Sequence, residues 1–79
     1  MNTVKISLNS IEKVKAFVDL VNRYDADFDL VSGRYVVDAK SIMGIFSLDI
    51  SAPIDLNIYT DDEKEMEAIL AKLESYIVE

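Results

Sequence analysis

Residues Thr3-Val4-Lys5-Ile6-Ser7-Leu8-Asn9-Ser10-Ile11-Glu12-Lys13-Val14-Lys15-Ala16-Phe17-Val18-Asp19-Leu20-Val21 change their hydrophobic period at Asn9-Ser10, and that change decides the fold class. Before it, Val4, Ile6 and Leu8 alternate with Thr3, Lys5 and Ser7, the period of a strand with one wet face. After it, Ile11, Val14, Phe17, Val18 and Val21 recur at three-and-four spacing, which lays an apolar stripe along one side of a helix. Asn9 and Glu12 have the spacing of a capping box, and Ser10 is an equally good N-cap one residue later. The spacing predicts a helix from near residue 10 to about Asn22.

The same two periods recur downstream. Phe28-Asp29-Leu30-Val31 and Tyr35-Val36-Val37 are β-prone runs on either side of Ser32-Gly33, a hairpin signal. Ser41 to Leu48 crowds Ile42, Met43, Ile45, Phe46 and Leu48 behind a residue suited to cap a short helix. Pro53 then punctuates the chain, and Ile54, Leu56 and Ile58 alternate with Asp55, Asn57 and Tyr59 as a further strand. Thr60-Asp61-Asp62-Glu63 has the form of a capping box, ahead of a helix whose apolar face is Met66, Ile69, Leu70, Leu73 and Ile77. The order is β-α-β-β-α-β-α. One-sided strands and one-sided helices bury their apolar surface together when the helices cover one face of a mixed or antiparallel sheet, which predicts an open-faced α+β sandwich.

Composition narrows the chemistry. The 79 residues suit one domain spanning 1–79, with roughly 60% of the unfolded chain's surface buried and little room for an internal ligand cavity. With no cysteine there is no disulfide, thiolate nucleophile or zinc ribbon, and with no histidine the commonest metal ligand is missing. Fifteen acidic against eight scattered basic side chains, a net charge of −7, argue against binding nucleic acid or an anionic membrane. The start Met1-Asn2-Thr3-Val4-Lys5 lacks a signal peptide's features and no run is long enough for a membrane span, so a soluble cytoplasmic chain is expected.

Three features stand out from ordinary surface. At Asn9-Ser10-Ile11-Glu12 a helix N-terminus offers free N–H groups to an anion, but a plain N-cap explains the residues and Glu12 would repel a phosphate. At Lys40-Ser41-Ile42-Met43-Gly44, Ser41 is explained as a cap and its apolar neighbours as core. Consecutive residues on a helix diverge by about 100°, however, so one or two of Ile42, Met43, Ile45, Phe46 and Leu48 must face solvent. An exposed apolar patch beside a phosphorylatable serine is the raw material of a regulated docking surface. Asp61, Asp62, Glu63, Glu65 and Glu67 lack the spacing and glycine of a calcium loop, so a solvated helix face and no metal site are expected.

From Lys40 through Leu48 the chain resembles the HPr family, the small phosphocarriers of the bacterial phosphoenolpyruvate:sugar phosphotransferase system. The resemblance extends along nearly the whole chain, through Arg23-Tyr24-Asp25-Ala26-Asp27 after the first helix, Ser32-Gly33-Arg34 at the hairpin and Ile58-Tyr59-Thr60-Asp61 at the last strand. It implies an HPr-like, four-stranded, largely antiparallel sheet with helices on one face. Family members carry a phosphate on a histidine within Gly-Ile-His-Ala-Arg-Pro-Ala at the start of the first helix. Carried across without gaps, that histidine falls on Ser10, the arginine on Glu12 and the proline on Lys13, so phosphocarrier chemistry is not expected.

The family's regulatory serine, phosphorylated by a dedicated ATP-dependent kinase, corresponds to Ser41. In Gram-positive bacteria the serine-phosphorylated form is corepressor for a LacI-type catabolite regulator. A branch of the family, Crh, lacks the histidine and keeps this route, although it retains the arginine where Glu12 stands here. The resemblance therefore implies a regulatory protein-binding module rather than an enzyme, with no cofactor. Ser41 is its phosphorylation site, and Ile11, Lys40, Ile42, Met43 and Phe46 form the partner surface. HPr kinase/phosphorylase, the LacI-type regulator and phosphotransferase components are the implied partners. Two other readings stay open, an atypical phosphocarrier using Ser10 and a partner-titrating domain with no phosphorylation.

Overall fold

A computed structural model describes residues 2–78. The elements run β1 (Asn2–Ile6), α1 (Ile11–Val21), β2 (Asp27–Ser32), β3 (Tyr35–Asp38), α2 (Ile42–Phe46), β4 (Ile54–Tyr59) and α3 (Glu63–Leu73). The strands form one sheet of order β1-β4-β2-β3 in which every neighbouring pair is antiparallel. This is the β-α-β-β-α-β-α sandwich expected from the periods, with a fully antiparallel sheet.

Register explains why the sheet has two unlike faces. Val4, Leu56, Leu30 and Val37 lie across the four strands in one row, with Ile6 opposite Ile54 and Phe28 opposite Ile58 on the same side. Val14, Phe17 and Val21 of α1, Ile45 of α2, and Ile69 and Leu73 of α3 join these residues in one buried cluster. Each such side chain contributes about 1.5–3 kcal/mol on leaving water. The opposite face carries Lys5, Asp55, Val31 and Val36 in one row and Thr3, Asn57, Asp29 and Asp38 in the next, all exposed or half-buried. The helices thus cover one face and leave the other to solvent. Among the described residues no helix is long and apolar enough to cross a membrane.

Where local signals competed, the structure chose between them. The cap of α1 is Ser10, whose Oγ accepts from the Lys13 N–H at 3.2 Å, rather than the Asn9–Glu12 pair. The cap of α3 is Asp62 rather than Thr60, because Asp62 Oδ1 accepts from both Lys64 N at 2.9 Å and Glu65 N at 3.2 Å. One carboxylate meeting two orphan N–H groups in the positive end of the helix field outcompetes a hydroxyl. Thr60 instead donates from Oγ1 to Glu65 Oε1 at 2.8 Å.

Ile77 was expected on the apolar face of the last helix, but α3 ends at Leu73 and Ile77 forms a β-bridge with Ile6. Ser7 N donates to Tyr76 O and Val78 N to Lys5 O, each at 2.8 Å, so the segment after α3 satisfies part of the open edge of β1. The Tyr76 ring meets Phe17 edge-to-face with centroids 5.9 Å apart. Leu8, expected as the last strand residue, lies beyond β1 and is buried all the same.

The β2–β3 hairpin turns at Gly33 and Arg34, with Ser32 paired to Tyr35. Gly33 has φ of +60° and among the described residues no non-glycine residue has positive φ, so only the first of the two loop positions requires glycine. Gly33→Ala is expected to cost about 1–2 kcal/mol from the left-handed backbone alone, since a Cβ there meets nothing within 4 Å. Urea denaturation checks this, and an unchanged midpoint would contradict it.

Candidate functional site

The segment after β3 is built to present a serine. Asp38 Oδ1 accepts from Lys40 N at 2.9 Å and the Asp38 carbonyl accepts from Ser41 N at 3.0 Å, which turns the chain sharply out of the sheet. Ser41 then takes the extended conformation of an N-cap, φ −101° and ψ 109°, and its Oγ accepts from Gly44 N at 3.2 Å. The Ser41 carbonyl accepts from Ile45 N at 3.1 Å, the first bond of α2. A Cβ at Gly44 would lie 3.4 Å from both Ser41 Oγ and Val37 Cβ, at ordinary van der Waals contact. At the other end Ser47 donates to the Gly44 carbonyl and closes the turn.

The short helix distributes its apolar residues as their angular spread demands. Ile45 and Leu48 are buried, Ile42 is half-buried, and Met43 and Phe46 face solvent at 79% and 43% exposure. Beside them Ser41 is exposed. A hydroxyl and a soft, adaptable apolar surface therefore share one exposed turn and a half. Past α2, the Ser51 hydroxyl and N–H both donate to Asp49 and hold its carboxyl below the usual range.

The other expected site residues are placed elsewhere or used differently. Ser10 is half-buried at the N-terminus of α1, with Glu12 in the first turn. Ile11 beside it is 58% exposed. Ser41, by contrast, is held near the opposite end of α1, since Asn22, the C-cap of that helix, donates from Nδ2 to the Lys40 carbonyl at 3.4 Å. The 11 residues of α1, about 16 Å along its axis, thus lie between the end capped by Ser10 and the end that faces the Ser41 segment. Lys40 points into the fold, its Nζ donating to the Tyr24 carbonyl at 2.8 Å. Asn22 and Tyr24 also belong to this segment, although their link to Lys40 spans 18 and 16 residues and leaves no periodic trace in the sequence. In the acidic run Asp62 is a helix cap and Glu65 is bonded to Thr60. No group of three or more carboxylates among the described residues is arranged to hold a metal ion.

An antiparallel sheet of order β1-β4-β2-β3 covered on one face, with a short serine-capped helix on its surface, defines a small open-faced α+β sandwich. The family model for the PTS HPr component phosphorylation site matches residues 12–79, starting two positions after Ser10. The chain belongs to the HPr family, whose members are phosphocarriers and regulators that interact with other proteins of the phosphotransferase system, and not enzymes.

It is 40% identical to the HPr-like protein Crh of Bacillus subtilis over 63 residues, 80% of this chain and 73% of that one. Among solved structures it is similar to HPr-C-His from Thermoanaerobacter tengcongensis, with a TM-score of 0.75, 29% identity and coverage of 92% of this chain and 90% of that one. It is also similar to the phosphocarrier protein HPr from Bacillus anthracis, with a TM-score of 0.69, 34% identity and coverage of 89% and 90%.

Proposed function

We propose that this protein is a regulatory protein-binding module of carbon catabolite control, a single HPr-like domain acting in the cytoplasm and switched by phosphorylation of Ser41. The observation that carries this is the exposed Ser41 hydroxyl capping α2 beside the exposed Met43 and Phe46. A phosphoryl group there adds about −1.5 to −2 charges at the edge of an apolar docking surface, enough to change which partner it accepts. The first turn of α2 holds no acidic side chain, so the helix end favours that charge, whereas Glu12 opposes it beside Ser10.

The position matching the family's phosphorylated histidine is read as Ser10, and the chain has no histidine at all. Transfer by phosphohistidine uses a nucleophilic imidazole and a labile phosphoramidate, and a serine ester gives up its phosphoryl group far less readily. The partner surface comprises Ile42, Met43 and Phe46 on α2, with Ile11 as a second contact at the far end of α1. Its partners are an HPr kinase/phosphorylase, a LacI-type catabolite regulator and phosphotransferase components, and no cofactor or metal takes part.

Calorimetric titration of the LacI-type regulator with kinase-treated and untreated protein tests this reading. Binding is expected only for the treated form, and equal affinity of the two forms would contradict the switch.

A further inference from the structure

Lys40 ties its own turn to the segment at the C-terminal end of α1, 16 to 18 residues earlier in the chain. Its amide donates to Asp38 Oδ1 at 2.9 Å, its ammonium to the Tyr24 carbonyl at 2.8 Å, and its own carbonyl accepts from Asn22 Nδ2 at 3.4 Å. The same ammonium lies 5.8 Å from the centroid of the buried Phe28 ring, within the range of a cation–π contact. Asn22 also donates from Nδ2 to Val18 O at 2.8 Å, so the group that holds the Lys40 carbonyl is itself fixed to the last turn of α1. Tyr24 lies just past that turn, its N–H donating to the Val21 carbonyl at 3.3 Å. The C-terminal end of a helix is electronegative, and a half-buried ammonium aimed at a carbonyl there is favoured by both charge and hydrogen bonding.

We propose that Lys40 is a positioning residue, an internal latch that holds the Ser41 segment against the C-terminal end of α1. The need for it follows from the size of α2. Five residues are too few to sustain a helix alone, and only Ile45 and Leu48 of this segment are fully seated in the core. With the latch closed, Ser41 and α2 keep one orientation. With it open, the segment is a loop anchored by the buried Ala39, Ile45 and Leu48. The consequence for the phosphoswitch rests on the Ser41 reading above, whereas the latch itself does not.

Two variants separate the possibilities. Lys40→Met keeps the apolar stem and removes the ammonium, leaving the Tyr24 carbonyl without its donor, while Lys40→Arg restores charge and N–H groups. Amide hydrogen exchange is expected to quicken about tenfold at Gly44 and Ile45 in Lys40→Met, the scale of losing one charge-assisted hydrogen bond. Leu30 and Leu56 in the sheet should change by less than about twofold, and Lys40→Arg should return Gly44 and Ile45 close to wild type.

Unchanged exchange at Gly44 and Ile45 would overturn the proposal, as would equal acceleration in the sheet. Failure of Lys40→Met to fold while Lys40→Arg folds would also overturn it, since Lys40 would then hold the whole fold rather than one segment. A second arm measures phosphorylation by the family kinase and ATP. Slower modification of Lys40→Met, rescued in Lys40→Arg, supports the link to the switch. No modification of any of the three proteins, wild type included, would refute the Ser41 reading while the exchange data still decide the latch.

Discussion

Phe17→Ala is expected to lower the unfolding free energy by about 3–5 kcal/mol, the largest loss of any substitution considered for this fold. The Phe17 ring is fully buried, lies in the middle of the face that α1 presents to the sheet, and meets Tyr76 edge-to-face. Truncation removes its transfer free energy and leaves a cavity that a sheet and two helices cannot collapse to fill. It also frees Tyr76, whose carbonyl holds Ser7 N at the edge of β1. For a chain of 79 residues the whole stability is on the order of 4–12 kcal/mol, so this one change consumes a large part of it. Urea unfolding followed by circular dichroism checks it, and a loss below about 1 kcal/mol would mean that α1 is not anchored through Phe17.

The second large effect falls on binding and leaves stability alone. Met43→Asp places a charge at a side chain that is 79% exposed, so unfolding should shift by no more than about 0.5 kcal/mol. In a complex that covers α2 the same carboxylate would be desolvated without a partner. A cost of about 2 kcal/mol or more is then expected, a weakening of some thirtyfold in affinity for the LacI-type regulator. Phe46→Ser should weaken binding in the same sense, since Phe46 is the other exposed apolar residue of that helix. Full affinity in Met43→Asp would remove α2 from the partner surface. Reduced affinity with a parallel loss of stability would show that Met43 supports the fold.

The elements of the fold were legible because each buries one side only, and one-sided burial leaves its period in the sequence. Ile54, Leu56 and Ile58 are buried in alternation, and Val14, Phe17 and Val21 at helical spacing. The ends of the elements were less legible. Asn9 and Ser10 offered rival caps of similar intrinsic merit, and at α3 Asp62 took the place expected of Thr60, the outcome depending on which oxygen could reach the N–H groups. Ile77 continues the helical spacing from Leu73, yet the open edge of β1 drew it into a bridge, a demand set by the sheet and invisible in local pattern.

The candidate site divides in the same way. Crowding in Ile42 to Leu48 required exposed apolar residues without naming them, and the core contacts of Ile45 and Leu48 decided that Met43 and Phe46 face outward. The family resemblance puts Lys40 on the partner surface, whereas its ammonium is captured by the Tyr24 carbonyl from a turn 16 residues earlier, a link that leaves no trace in local pattern. That Ser10 and Ser41 sit near opposite ends of α1 also emerges only from the fold.

The most direct measurement exposes the protein in parallel to the two phosphoryl donors used by its family and maps any modification by peptide mass spectrometry. One sample receives enzyme I with phosphoenolpyruvate, and the other the HPr kinase with ATP. A single phosphoryl group on Ser41 in the kinase sample, absent in Ser41→Ala, together with an unmodified protein in the enzyme I sample, is the expected result. Stable label on Ser10 from phosphoenolpyruvate, or an unmodified Ser41 after kinase treatment, would contradict a switch that has replaced a carrier.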